Sequence, residues 1–134
     1  MSSYLAIELK SSQKTEFIDI TARVQELVRA GKCDSGLLLV FTPHTTAAVT
    51  INENADPAVA HDIGEFFRRL AGPEGYFRHR EGNSPAHIMS SLVGASETLV
   101  IHNGELVLGS WQGIFFCEFD GPRQRRVFVK FMPG

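Results

Sequence analysis

The sequence predicts a single α+β domain, and three observations carry that reading. Short segments suited to strands recur along the chain, several with a two-residue apolar alternation. Between them lie three segments whose apolar residues fall at helical spacing, each with start and stop signals. The length of 134 residues fits one domain, 1–134. A chain of that size buries roughly two-thirds of the surface it exposes when unfolded, so it needs no disulfide staple.

The elements follow in order. Tyr4–Leu9 alternates, with Leu5, Ile7 and Leu9 on one side. Ser11-Ser12-Gln13-Lys14 reads as a turn and Thr15–Ile20 as the returning strand of a hairpin. Thr21 is placed to cap a helix with Val24, Leu27 and Val28 as its stripe and Gly31 as its stop. Gly36–Phe41 is an unbroken apolar run, which predicts a strand buried on both faces. Asp56-Pro57 opens the clearest helix, because Asp is a strong N-cap and Pro suits the first helical position. Val59, Ile63, Phe66, Phe67 and Leu70 form its stripe, and Ala71-Gly72-Pro73 stops it. Gly72–Pro85 is loop-like, and Asn83 or Ser84 caps a third helix with Ile88, Met89, Leu92 and Val93 as core contacts. Asn103-Gly104 joins two strands as a tight hairpin. Ser110–Phe119 alternates aromatically, Asp120-Gly121-Pro122 turns the chain, and Arg123, Arg125, Val127, Val129 and Phe131 share one face of the last strand.

The densest chemistry lies in Phe41–Asp56. At strand period, Thr42, His44, Thr46, Thr50 and Asn52 fall on one face, and Phe41, Ala47, Val49 and Ile51 on the other. The first face is small, uncharged and hydrogen-bonding. It reads either as the wall of a site or as a Thr-rich exposed strand with an incidental His. Pro43 puts His44 at a backbone irregularity. Asn52, Glu53 and Asn54 lie between strand end and helix start, where function often sits. His87 falls in the first turn of its helix, whose dipole disfavours imidazolium. His61 lies about 160° from Val59 and Ile63 by the helix period, so it faces solvent. His102 flanks a turn. Arg123 and Arg125, on an apolar face, suit either an anionic ligand or carboxylates across a subunit contact.

Composition excludes several classes. A net charge of −2 gives no field favouring nucleic acid. Two cysteines, Cys33 and Cys117, are too few for a disulfide framework and read as reduced structural thiols. No basic-then-apolar leader and no membrane-length apolar run is present, so the expected location is cytoplasmic.

Several blocks together resemble the YjbQ-like family. They are Pro43-His44-Thr45-Thr46-Ala47, Ile51-Asn52-Glu53-Asn54-Ala55-Asp56-Pro57, His79 with Glu81-Gly82-Asn83, and Ala86-His87-Ile88. Gly109-Ser110-Trp111-Gln112-Gly113-Ile114 and Glu118-Phe119-Asp120-Gly121-Pro122-Arg123 with Arg125 complete the set. The resemblance covers nearly the whole chain. It implies an antiparallel β-sandwich-like core with about three helices and a homotrimer about a threefold axis. Some members are described as having weak thiamine-phosphate synthase activity, a transferase reaction, and others as uncharacterised. The family's histidine positions correspond to His44, His79 and His87. Asn83-Ser84-Pro85 departs from members that carry a longer acidic run there.

Two functions of different class follow. The first is a small metal-binding enzyme acting on a phosphorylated small molecule, either a synthase of that kind or a metal-dependent hydrolase. His44, His79 and His87 would be metal ligands, and zinc suits three imidazoles better than magnesium does. His44, Glu53 and His87 would be catalytic, with Glu53 as general base or fourth ligand. Thr46, Asn52, Asn83 and Gln112 would line the substrate, and Arg123 and Arg125 would hold its phosphate groups. The second is a non-catalytic trimer that binds a small ligand or metal.

Overall fold

The computed structural model describes residues 4–70 and 77–134. Two antiparallel sheets form a sandwich. The larger takes β1 (Leu5–Lys10), β8 (Gln124–Pro133), β3 (Ser35–Phe41), β5 (Ser96–His102) and β6 (Glu105–Val107), in that spatial order. The smaller takes β2 (Glu16–Asp19), β7 (Gln112–Glu118) and β4 (Ala47–Glu53). Three helices complete the chain: α1 (Thr21–Ala30), α2 (Pro57–Leu70) and α3 (Ser84–Val93). No helix among the described residues is long and apolar enough to cross a membrane.

Apolar periodicity builds two cores. Ile7, Leu38, Val40, Val49, Leu99, Ile114, Phe116, Val127 and Val129 fill the space between the sheets, joined by Val24 and Val28 of α1. Ala48, Phe115, Cys117 and Phe119 form a second core with Ala86 and Met89 of α3, with Ala60 and Phe67 of α2 packed against it. The small sheet is therefore covered on both sides, which explains the continuous burial of β7. Burial drives the Cys117 thiol far above its ordinary pKa, so it is an inert structural thiol.

Several expectations change. β1 and β2 do not pair with each other; β1 joins β8 and β2 joins β7. Their connection crosses between the sheets, held where Ser11 N donates to Arg123 O at 2.9 Å and Gly121 N to Lys14 O at 3.0 Å. β3 is buried on one face only: Leu38 and Val40 point in, while Leu37 and Phe41 are exposed. Residues 42–46 are not strand, so His44 lies in the irregular stretch before β4. Phe66, Leu70 and Leu92 are exposed rather than core. The Ala71-Gly72-Pro73 stop signal lies outside the described residues. Asp56 caps α2 as expected, accepting from Ala58 N at 2.9 Å. Asn103 and Gly104 both take positive φ, as their hairpin requires.

Candidate functional site

The site forms where β7 and β8 leave the inter-sheet core. Glu118 continues the inward face of Ile114 and Phe116, and Arg125 that of Val127 and Val129. Two opposite charges thus close one end of an apolar core. Arg125 Nε donates to Glu118 Oε1 at 2.8 Å, and Nη2 donates to Glu118 Oε2. Nη2 also donates to Thr46 Oγ1 at 2.8 Å. Ser11 Oγ, fully buried, donates to Glu118 Oε1 at 2.6 Å, and Asp120 N donates to Oε2 at 3.0 Å. Burial alone would raise the Glu118 pKa; these hydrogen bonds outweigh it and hold the carboxyl below its ordinary value. Arg125 Nη1 has no protein acceptor among the described residues.

Asp120 is the second hub. It accepts from Lys14 Nζ at 2.9 Å, Asn83 Nδ2 at 2.9 Å and Arg123 Nη2 at 2.7 Å. Burial pushes its pKa up, but the Lys14 and Asn83 bonds, with Arg123, bring it down to about 2. Asn83 precedes α3 yet makes no side-chain cap: its Nδ2 donates to Asp120, and its buried Oδ1 finds no partner among the described residues. Ser90 Oγ donates to Ala47 O at 2.6 Å, tying α3 to the start of β4 one helical turn beyond His87. His87 meets His79 edge to face, with ring centroids 5.2 Å apart. His79 Nε2 lies 3.8 Å from Glu81 Oε1.

His44 is fixed differently. Its Nε2 accepts from the backbone N–H of Arg126 at 3.0 Å. The neutral ring therefore carries its proton on Nδ1 and acts there as a donor. Partial burial, then the Arg125 charge, lower its pKa; Glu118 opposes them only in part.

These residues line one polar cavity of about 430 Å³: His44, Thr46, His79, Asn83, His87, Arg123 and Arg125, with Pro43, Thr45 and Glu81. The three imidazoles, distant in sequence, meet there. Glu53, Asn52 and Gln112 do not. The register sets Ala47 opposite Glu118 and Glu53 opposite Gln112, so Glu53 stands at the other end of β4, about 20 Å along an ideal strand. Glu53 lines a separate cavity beside α2. Asn52 Oδ1 accepts from Glu53 N, and Gln112 Oε1 accepts from Gly109 N. Strand length, not side-chain chemistry, removes all three from the histidine site. Among the described residues, no three His, Cys, Asp or Glu side chains are grouped to hold one metal ion. Ser11, Lys14, Glu118 and Asp120 were missed in the sequence. A signal existed for Glu118, which is in phase with Ile114 and Phe116.

A family model described as UPF0047 protein YjbQ-like matches residues 5–134. The chain belongs to that family. The UPF0047 protein MJ1081 of Methanocaldococcus jannaschii is 50% identical, over 92% of this chain and 89% of that protein. The UPF0047 protein YugU of Bacillus subtilis is 47% identical, over 94% of this chain and 96% of its own length. A crystal structure of an uncharacterised YjbQ/UPF0047 protein from Clostridium acetobutylicum superposes with a TM-score of 0.93 at 50% identity, covering 96% of this chain and 99% of that one. The hypothetical protein APE1520 of Aeropyrum pernix gives the same TM-score at 36% identity, covering 99% and 100%. The α+β sandwich is thus the YjbQ-like fold, and the cavity described above is set within it.

Proposed function

We propose that this YjbQ-like chain is a small enzyme that acts on a phosphorylated small molecule in the His44/His79/His87 cavity. One observation carries the reading. The Arg125 side chain is only 4% exposed, yet it lines the cavity with Nη1 unpaired among the described residues. A guanidinium held so rigidly is pre-organised for an anion's oxygen. Arg123 adds a second cation, and His44 adds a neutral Nδ1–H donor. Among the described residues, Glu81 is the one carboxylate in this lining, and it is exposed.

The proposed cofactor is a divalent metal, zinc before magnesium. Part of the predicted ligand set fits. Two imidazoles on one tetrahedral zinc, with Zn–N near 2.1 Å, place their centroids about 5 Å apart. His79 and His87 stand at 5.2 Å. His44 does not fit as the third ligand while Nε2 serves the Arg126 amide and Nδ1 holds the proton. A metal on the pair would supply Lewis-acid charge neutralisation for a phosphoryl group. The chain's own residues orient the anion and exclude misplacement: Arg123 and Arg125 hold its oxygens, and His44 donates to one of them.

A weak thiamine-phosphate synthase activity is the narrower proposal. Its pyrophosphate leaving group needs magnesium, and this lining offers magnesium little oxygen. Hydrolysis or transfer of a simpler phosphate ester suits these residues better. A homotrimer is proposed alongside, supported by the exposed apolar face of the larger sheet, where Leu37, Phe41, Val100, Val107 and Met132 stand together. The test is binding of inorganic phosphate to the purified protein, with metal content measured in parallel. Arg123→Ala and His44→Ala should each weaken phosphate about tenfold. A protein that does not bind phosphate with or without zinc overturns the reading.

A further inference from the structure

The histidine pair stands between two cavities of opposite character. On one side lies the polar cavity with Arg123 and Arg125. On the other lies a cavity of about 380 Å³ lined, among the described residues, by Phe77, Arg78, His79, Ser84, His87 and Ile88. His79 and His87 belong to both linings. Phe77 and Ile88 give the second cavity the apolar wall that the first lacks, and neither guanidinium of the first cavity reaches it.

From this shared wall we infer that the ligand is bipartite: a phosphate monoester whose organic half is compact and apolar, seated so that its ester linkage crosses the His79–His87 pair. The inference rests on the anion reading above and names the half of the substrate that reading leaves open. The physical reason is solvation. A phosphate group finds two guanidiniums and the His44 donor together in the first cavity, where it replaces water by charge-assisted bonds, against Arg78 and Ser84 in the second. An apolar ring or branched alkyl group gains nothing there, but it leaves water by resting on Phe77 and Ile88. A polyol phosphate would instead strip its hydroxyls against the same two side chains, which offer no partners. The two preferences order the ligand along one direction. They also place the bond between its halves beside two imidazoles, where a proton donor or a metal is useful. Ile88 follows His87 directly on α3, so one helical turn supplies one member of the pair and part of the apolar wall.

The experiment titrates three probes into the full-length protein: inorganic phosphate, phenyl phosphate and glycerol 2-phosphate. Phenyl phosphate should bind about tenfold more tightly than glycerol 2-phosphate. In Phe77→Ser, the ratio of phenyl phosphate to inorganic phosphate affinity should fall towards unity. Ile88→Ser is the second variant; because Ile88 also packs against the second core, the ratio rather than the absolute affinity is read. Equal binding of all three probes, or a ratio untouched in both variants, overturns the bipartite ligand and leaves the anion site standing. Failure of every probe to bind overturns the anion reading itself and this inference with it.

Discussion

Glu118 and Arg125 face each other as an ion pair inside the protein, with side-chain exposures of 0% and 4%. Seven residues apart on adjacent strands of chain order, they lie in different sheets and join them at the site. Removing one member strands the other's charge without water. Glu118→Gln should therefore destabilise the fold by about 3–5 kcal/mol. Urea denaturation measures this, and a loss below about 1 kcal/mol would contradict a dry pair.

Acid should act on the same end of the sandwich. Asp120 has a folded pKa of about 2, below its ordinary carboxylate value, so its contribution is complete above the unfolded value. As pH falls, the unfolded chain takes up the proton first, and stability is lost progressively down to about 2. Glu118 adds a loss of the same sign, its pKa being lowered too. Melting temperature should decline from about pH 4 downward. Asp120→Asn should flatten that decline while lowering the plateau above it.

His44 predicts a separate, milder step. Its folded pKa is depressed, by burial first and then by Arg125. Below the unfolded value, about 6.5, the unfolded chain binds a proton that the folded ring refuses. Stability should thus begin to fall from about pH 6.5, before the carboxylates respond. Comparison of melting curves for the wild type and His44→Gln isolates this step, which the variant should lack.

Metal content separates the three histidines. His79→Ala and His87→Ala should each empty a zinc-loaded preparation, whereas His44→Ala should leave its zinc largely in place. Elemental analysis after dialysis decides. Equal loss from all three variants would mean that the His44 ring turns away from the Arg126 amide to take the ion.

The exposed sheet face gives the last prediction. Leu37 lies opposite both Val100 and Met132, and Phe41 opposite Phe128. Val100→Lys would put a charge in the middle of this surface. If copies associate there, light scattering should show the mass falling from a trimer to a monomer with the fold intact. A monomeric wild type would rule the association out.

Much of this was readable from local pattern. Asn103-Gly104, Asp56-Pro57 and the β7 alternation each specify their element within a few residues. The β1–β2 error has a physical origin: Ser11-Ser12-Gln13-Lys14 encodes a change of direction, but nothing local says which sheet receives the next strand. The same limit hid Ser11, whose partner Glu118 is 107 positions away. Arg125 stood out as a charge in phase with core residues, and Glu118 has the same signature on β7. Pairing the two in advance was within reach. Asn52 was misplaced because a strand face shared with His44 does not mean a shared location, and Glu53 and Gln112 because they pair at the far end of β4. Histidine convergence came from family resemblance; spacing along the chain carries no trace of it.

Ser11 Oγ accepts from Arg123 N at 2.8 Å, so the first strand's exit is latched to the last strand's entry. A nascent chain still lacking its C-terminal residues has no Arg123 N–H to close this latch and no Arg125 guanidinium to pair with Glu118. Synthesis of the final strand is therefore the event that completes the polar cavity. A ribosome stalled before Arg123 would present a chain carrying all its histidines but neither arginine of that cavity.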